Sequence, residues 1–189
     1  SDDRSPGTRD PGRQLLGLID DMWYRWNADI GITGPDKGAG GKYLLLPPGY
    51  KDAVPDGYHV VRSPTFQTWA GWRTFLVDGD AKPGVAAVKQ YTKIYPLAQA
   101  GKPPPALNFV NMSGKPFNMV APADESFWPM LHQVVQEEPT DTIDATTLGI
   151  WASIGIEKGK PFAPDARMKK ILAEAAAVGD ATGRALGYR

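Results

Sequence analysis

Six residues have types that could do binding chemistry at a readable spacing: Tyr58, His59, Arg62, Trp69, Trp72 and Arg73. Aromatic rings stack on flat organic or sugar-like rings, while Arg and His add hydrogen bonds and charge. In extended chain alternate residues share a face, so Arg73 lies on the side of Trp69 and Trp72 takes the other. The competing assignment is structural: Trp69 and Trp72 fill a core, and Arg73 satisfies a buried carboxylate or carbonyl.

Other chemistries find less support. Cys is absent, which removes disulfides, thiolate nucleophiles and zinc-finger sites. No Gly-x-Ser-x-Gly elbow and no His-Glu-x-x-His motif occurs, so neither a serine nucleophile nor a zinc-hydrolase helix is indicated. His59 falls in a predicted strand and His132 in a predicted helix beside Leu131 and Val135. Each reads more simply as a polar or half-buried ring than as a ligand. Asp20-Asp21 and Glu137-Glu138 are adjacent pairs in predicted helices. Helical neighbours point about 100° apart, so neither pair makes a facing acid/base couple.

The glycine-rich stretches behave likewise. Gly38 to Lys42 ends in Lys but lacks the phosphate-loop spacing and the following Ser or Thr, and a strand comes next,. Asp78-Gly79-Asp80 is half of a calcium loop at most and reads as a turn,. Gly155 to Lys160 could seat an anion, but a helix-entry loop explains it as well. No metal and no cofactor is implied.

The elements that position the six residues follow from periodicity. Lys42 to Leu46 is a strand stopped by Pro47-Pro48, and Tyr58 to Arg62 is a second, entered through Pro55-Asp56-Gly57,. Thr65 to Val77 is a long third strand, mixed on both faces, with Gly71 marking a bulge or a close backbone approach,. Ahead of them, Leu15, Ile19, Met22 and Trp26 recur at helical steps and predict a helix over Arg13 to Ala28,. Trp23, Tyr24 and Trp26 then read as core packing on that helix rather than a binding platform. Ser1 to Pro11 reads as a loose polar arm.

A helix is predicted from Lys82 to Lys93, with Pro83 in its first turn and Val85, Val88 and Tyr91 as a weak apolar side,. Leu107 to Asn111 and Phe117 to Val120 read as short strands around Ser113-Gly114-Lys115,. Three helices follow. The first is capped by Ser126 and runs to Glu138. The second is capped by Asp141 or Asp144, carries Leu148, Trp151 and Ile154, and ends at Gly155. The last opens at Pro164, turns Met168, Ile171, Leu172 and Ala175 inward, and is weakened by Gly179 and Gly183,. The fold class is therefore α+β: residues 1–123 form an N-terminal helix plus a β-sandwich portion, and residues 124–189 a helical region.

Composition bounds the partners. The chain has 189 residues, with 21 basic and 21 acidic side chains and no net charge. Without a basic excess, dedicated nucleic-acid binding is not expected. No apolar run is long enough to span a membrane.

Several segments resemble one bacterial family. GGKYLLLPPGY (Gly40 to Tyr50), PDGYHVVRSPT (Pro55 to Thr65), FLVDGD (Phe75 to Asp80), YPLAQA (Tyr95 to Ala100) and GIEKGKPFAPDARMKKIL (Gly155 to Leu172) are similar to domain of unknown function 1254, DUF1254. The chain resembles the C-terminal part of that region. The resemblance implies jelly-roll-like β-sandwich units joined by helices, export to the periplasm or medium, and usually a following DUF1214 domain. On it, the chain is a fragment of a larger protein, and the helix from Pro164 resembles the connector to a second domain. It implies no chemistry.

Two functions fit. One is a non-enzymatic ligand-binding or interaction module, holding a small organic or sugar-like ligand, a second copy of itself, or the rest of a parent protein. The other is a hydrolase-like or isomerase-like enzyme with its site at the junction of two sandwich units, incomplete in this chain. Arg73, His59 and a carboxylate converging in a closed cleft would favour the enzyme.

Overall fold

The structure is a computed structural model that describes residues 14–187. The arm expected over Ser1 to Pro11 lies outside the described residues, as do Arg13, where the first helix was to begin, and the last two residues of the chain. The chain divides into two compact units, Ser1–Ser113 and Gly114–Arg189. The class is mixed α and β.

In the first unit the predicted N-terminal helix is instead a β-hairpin. Strand β1 (Leu15–Asp21) pairs antiparallel with β2 (Trp26–Gly31) on one side. On its other side it pairs with β5 (Thr68–Thr74), giving the order β2-β1-β5. The run Leu-Leu-Gly-Leu-Ile is apolar at both periods, so steps of three and four coexist with strict alternation. Gly17 decides between them. A Cβ there would lie 2.6 Å from the Gly71 carbonyl oxygen, 2.6 Å from Trp72 Cβ and 2.9 Å from Ile30 Cγ1. The central strand is gripped from both sides, and only glycine fits.

Asp21 closes the hairpin. Its carboxylate is fully buried and accepts from the Trp23 N–H at 2.8 Å, the Arg25 N–H at 2.9 Å and the Arg25 Nε–H at 2.7 Å. Three donors offset the cost of taking a charge out of water. They also hold Tyr24 at φ 57°, a left-handed conformation that a bulky residue enters only under constraint,.

The remaining strands, β3 (Tyr43–Leu46) and β4 (His59–Arg62), form a separate two-stranded parallel pair. Strand β3 buries Leu44 and Leu46, while β4 buries Val61 on the opposite face, so both sides of the ribbon are partly covered. With Ile19 these residues supply the apolar core of the unit, each contributing about 1.5–3 kcal/mol by leaving water. The stretch from Tyr43 to Val77 is thus extended as expected but split between two sheets. Neither sheet closes, and no jelly roll is formed among the described residues. The physical reason is pairing: β5 takes β1 as its neighbour, not β4.

Helix α1 (Lys82–Tyr91) follows a tight Val77–Asp80 turn with Asp78 and Gly79 both at positive φ. Its Gly84 sits against the Thr74 side chain, while Val85 and Tyr91 stay half exposed. The two strands expected at Leu107 to Asn111 and Phe117 to Val120 do not form. The segment stays irregular, with Phe109, Val110, Phe117, Met119 and Val120 exposed. Its alternation had suggested pairing, but a strand exists only where a neighbour accepts its backbone.

The second unit is helical: α2 (Phe127–Glu137), α3 (Ala145–Ser153) and α4 (Ala166–Gly187). Asp144 caps α3 by accepting the Thr147 N–H at 2.8 Å, which holds its carboxyl below the usual carboxylate range. Ser126 occupies the cap position of α2 without capping it; its hydroxyl donates to Asp124 instead. Helix α3 ends at Gly155 (φ 87°), where the Gly155 and Ile156 amides return to the Ala152 and Trp151 carbonyls,. The core is Val135, Ile156, Leu172 and Ala176, with Glu138 completely buried. In α4 Leu172 faces inward as expected, but Ile171 is 44 % exposed and Ala175 is exposed; Ala176 takes the inward place. The Trp128 indole N–H bonds the Leu172 carbonyl at 2.7 Å and fixes that register.

Candidate functional site

The three-stranded sheet has one closed face and one open face. Direct pairs put the buried Gly17, Ile19 and Asp21 of β1 on the closed side with the half-buried Trp72 of β5, while Ala70 at the outer strand of that side is exposed. The open side carries Leu16, Leu18 and Asp20 with Arg73, Gly71 and Trp69. On β2 the register shifts between Ile19 and Asp20, and this bulge brings Trp26 opposite Asp20,. Asp20 therefore has an indole residue as cross-strand partner on each side.

These rings are exposed yet held. Trp69 is 43 % exposed, Trp26 65 % and Tyr24 68 %. Trp69 lies over Gly71, where a Cβ would meet its Cη2 at 2.6 Å. Gly71 thus marks the close approach of a ring rather than a bulge. Trp26 donates its indole N–H to Asp29 Oδ1 at 3.0 Å. Tyr24, fixed by the Asp21 turn, sits with its ring 6.4 Å from that of Trp69, tilted by 35°. Rings anchored in this way lose little freedom when a ligand stacks on them. Asp20 is half-buried and has no hydrogen-bond or ion-pair partner among the described residues.

The six residues singled out from sequence are not brought together. Trp69 and Arg73 share the open face, Arg73 exposed, and Trp72 lies half-buried on the closed side. His59 and Arg62 belong to the other sheet, with Tyr58 just ahead of it. There the His59 ring packs 5.0 Å from Tyr43 and would be met at 2.9 Å by a Cβ on Gly41. The Lys42 amine stands 5.0 Å from the Tyr58 ring. Arg62 is exposed at the end of β4. Arg73 and His59 therefore do not converge on a carboxylate in one cleft.

Asp36 explains the glycine-rich loop. Its carboxylate accepts the Gly31 N–H at 2.8 Å, the Gly40 N–H at 3.0 Å and the Tyr43 hydroxyl. The Gly40 amide, which a phosphate would need, is already committed to a side chain. Burial, reinforced by the bond to Asp36, pushes the Tyr43 phenol up to about 12,. The loop at Gly155 to Lys160 is similarly engaged: Lys158 bonds the Gln136 and Glu138 carbonyls and Lys160 pairs with Glu157. His132 stacks on Phe162 at 5.7 Å beside an open hollow of about 400 Å³. No group of three or more His, Asp or Glu that could hold a metal occurs among the described residues, and no described helix is long and apolar enough to cross a membrane.

Trp26, Tyr24, Asp20 and Asp29 were hidden by the helix reading, which placed the aromatics in a core and the Asp20-Asp21 pair on one helix surface. In a strand those two carboxylates point to opposite sides. The signal available was Gly17, a poor residue for a helix interior.

Comparison with known proteins agrees with the resemblance in the strand region. The model of the family described as protein of unknown function (DUF1254) matches residues 5–96. The match holds every strand and stops before the segment at Gly155 to Leu172. No curated protein matches the chain. The solved structure of the VPA0106 protein from Vibrio parahaemolyticus superposes with a TM-score of 0.58 at 22 % identity, over 90 % of this chain and 41 % of that one. At that identity the likeness is one of fold, and this chain spans about two-fifths of the length of that one.

Proposed function

We propose that this chain is a non-enzymatic ligand-binding or interaction module that works through the open face of the β2-β1-β5 sheet. The observation that carries the reading is the pair of exposed, anchored indoles on either side of a carboxylate that has no partner among the described residues. An exposed ring that served only the fold would have no need of an anchor. Trp69 has Gly71 beneath it and Trp26 has Asp29 at its edge. Pre-organised aromatics with polar groups between them suit small-ligand recognition.

The reading is tested by proton–nitrogen correlation NMR of the chain against a library of small polar and aromatic fragments. The expected result is saturable shifts clustered on the Trp26 and Trp69 indole N–H signals and the Asp20 amide. Shifts clustered on the second unit, or none on those indoles, would defeat it.

A further inference from the structure

We infer that the open sheet face seats an organic ammonium group between the Trp26 and Trp69 indoles, above the Asp20 carboxylate. This rests on the ligand-binding reading of the face and adds the chemical class.

Charge complementarity comes first. The polar groups beside the rings are Asp20 and Asp29, both carboxylates. The nearest cation in sequence, Arg25, is already paired with the buried Asp21. Arg73 stands four residues from Trp69 along β5, roughly 13 Å away at the rise of a strand. An anion would meet two carboxylates. A neutral sugar could hydrogen-bond these groups but would leave both carboxylate charges unmatched. A cation finds a partner in each group.

Geometry comes second. Trp26 and Trp69 oppose Asp20 from the two strands flanking β1. Two strand spacings put their backbones about 9.5 Å apart, with the side chains on one face. Trp69 leans over Gly71 and Trp26 reaches Asp29, both of which pair with Leu18, so the two rings flank the strip next to Asp20; a ring quadrupole attracts a cation within about 6 Å of its centroid. The Asp29 carboxylate at the Trp26 indole N–H polarises that ring towards a more negative face,. The positive charge would relieve Asp20, which has no partner among the described residues.

The test is titration with choline and with neohexyl alcohol, its neutral isostere in which carbon replaces nitrogen. Binding is read from the Trp26 and Trp69 indole signals in wild type and Asp20→Asn and from the Trp26 indole signal in Trp69→Ala, with circular dichroism confirming the fold of each variant. The expected result is saturable choline binding at those indoles, weakened about tenfold in Asp20→Asn and lost in Trp69→Ala, with the alcohol at least about tenfold weaker. Equal binding of the alcohol, or binding of methyl glucoside in place of choline, would overturn the cation assignment while leaving the face a ligand surface. Absence of any saturable choline shift would also overturn it. The ligand-binding reading itself falls if the fragment library, neutral members included, leaves both indoles unmoved or shifts the second unit instead.

Discussion

Asp20 and Asp21 are neighbours in one strand and live in different worlds. Asp21 points to the closed face, is fully buried and takes three donors, and so makes the hairpin turn. Asp20 points to the open face, keeps contact with water and takes none among the described residues. The two faces around them repeat the contrast. On the closed face glycine and isoleucine fit against neighbours with no spare room. On the open face tryptophans lie exposed over a glycine or at the edge of a carboxylate. One residue of displacement along a strand decides whether a side chain holds the fold or is offered to a ligand.

Substitutions on the closed face should be costly. Gly17→Val has the largest expected effect, a loss of about 3 kcal/mol or more, because the atoms it would strike include backbone and a Cβ that cannot swing away,. Asp21→Ala should cost about 2–3 kcal/mol by stranding the Trp23 and Arg25 amides,. Both are read from denaturant unfolding, and a loss below 1 kcal/mol in either, with ~1 kcal/mol as the usual effect of a substitution, would erase the contrast between the faces. Away from the sheet, Tyr43→Phe should cost about 1 kcal/mol at neutral pH for the bond to Asp36,.

Tyr43 also carries a pH dependence. Its folded pKa lies above the unfolded value, so the folded chain holds the proton more tightly. The associated stability is complete below pH 10 and is lost as pH rises towards about 12,. Wild type should lose stability in that window, and Tyr43→Phe should lose less; identical slopes in pH-resolved unfolding would contradict it. On the open face, Trp69→Ala should cost only about 0.5–1 kcal/mol while abolishing ligand shifts. Asp20→Asn should stay within about 0.5 kcal/mol of wild type. A large loss of stability in Asp20→Asn would make the open face structural after all.

Much of the local structure was legible. The strands at Tyr43–Leu46, His59–Arg62 and Thr68–Thr74, the helices from Lys82 and Phe127, and the Gly155 stop all carry strong turn or capping signals close to the element they end. The Asp78-Gly79 turn was equally plain. The first hairpin was not, because its apolar residues satisfy two periods at once and the glycine that breaks the tie matters only once its neighbours are known. The open face was half legible. Trp69 and Arg73 were found and correctly put on one side of their strand, opposite Trp72. The other half, Asp20 and Trp26, lies 43 to 53 residues away in sequence and joins them only through pairing. The strands expected from Leu107 to Val120 failed for the converse reason: the pattern was there and no neighbour was.

The sequence by itself determined which short stretches are extended or helical and where they stop, because turns, caps and alternation depend on a few adjacent residues. Only the tertiary structure decided which strands are neighbours. That choice depends on close approaches such as Gly17 against Gly71, contacts between residues far apart in the chain that no local pattern encodes. It parted His59 from Trp69 and set Trp26, Asp20 and Trp69 side by side.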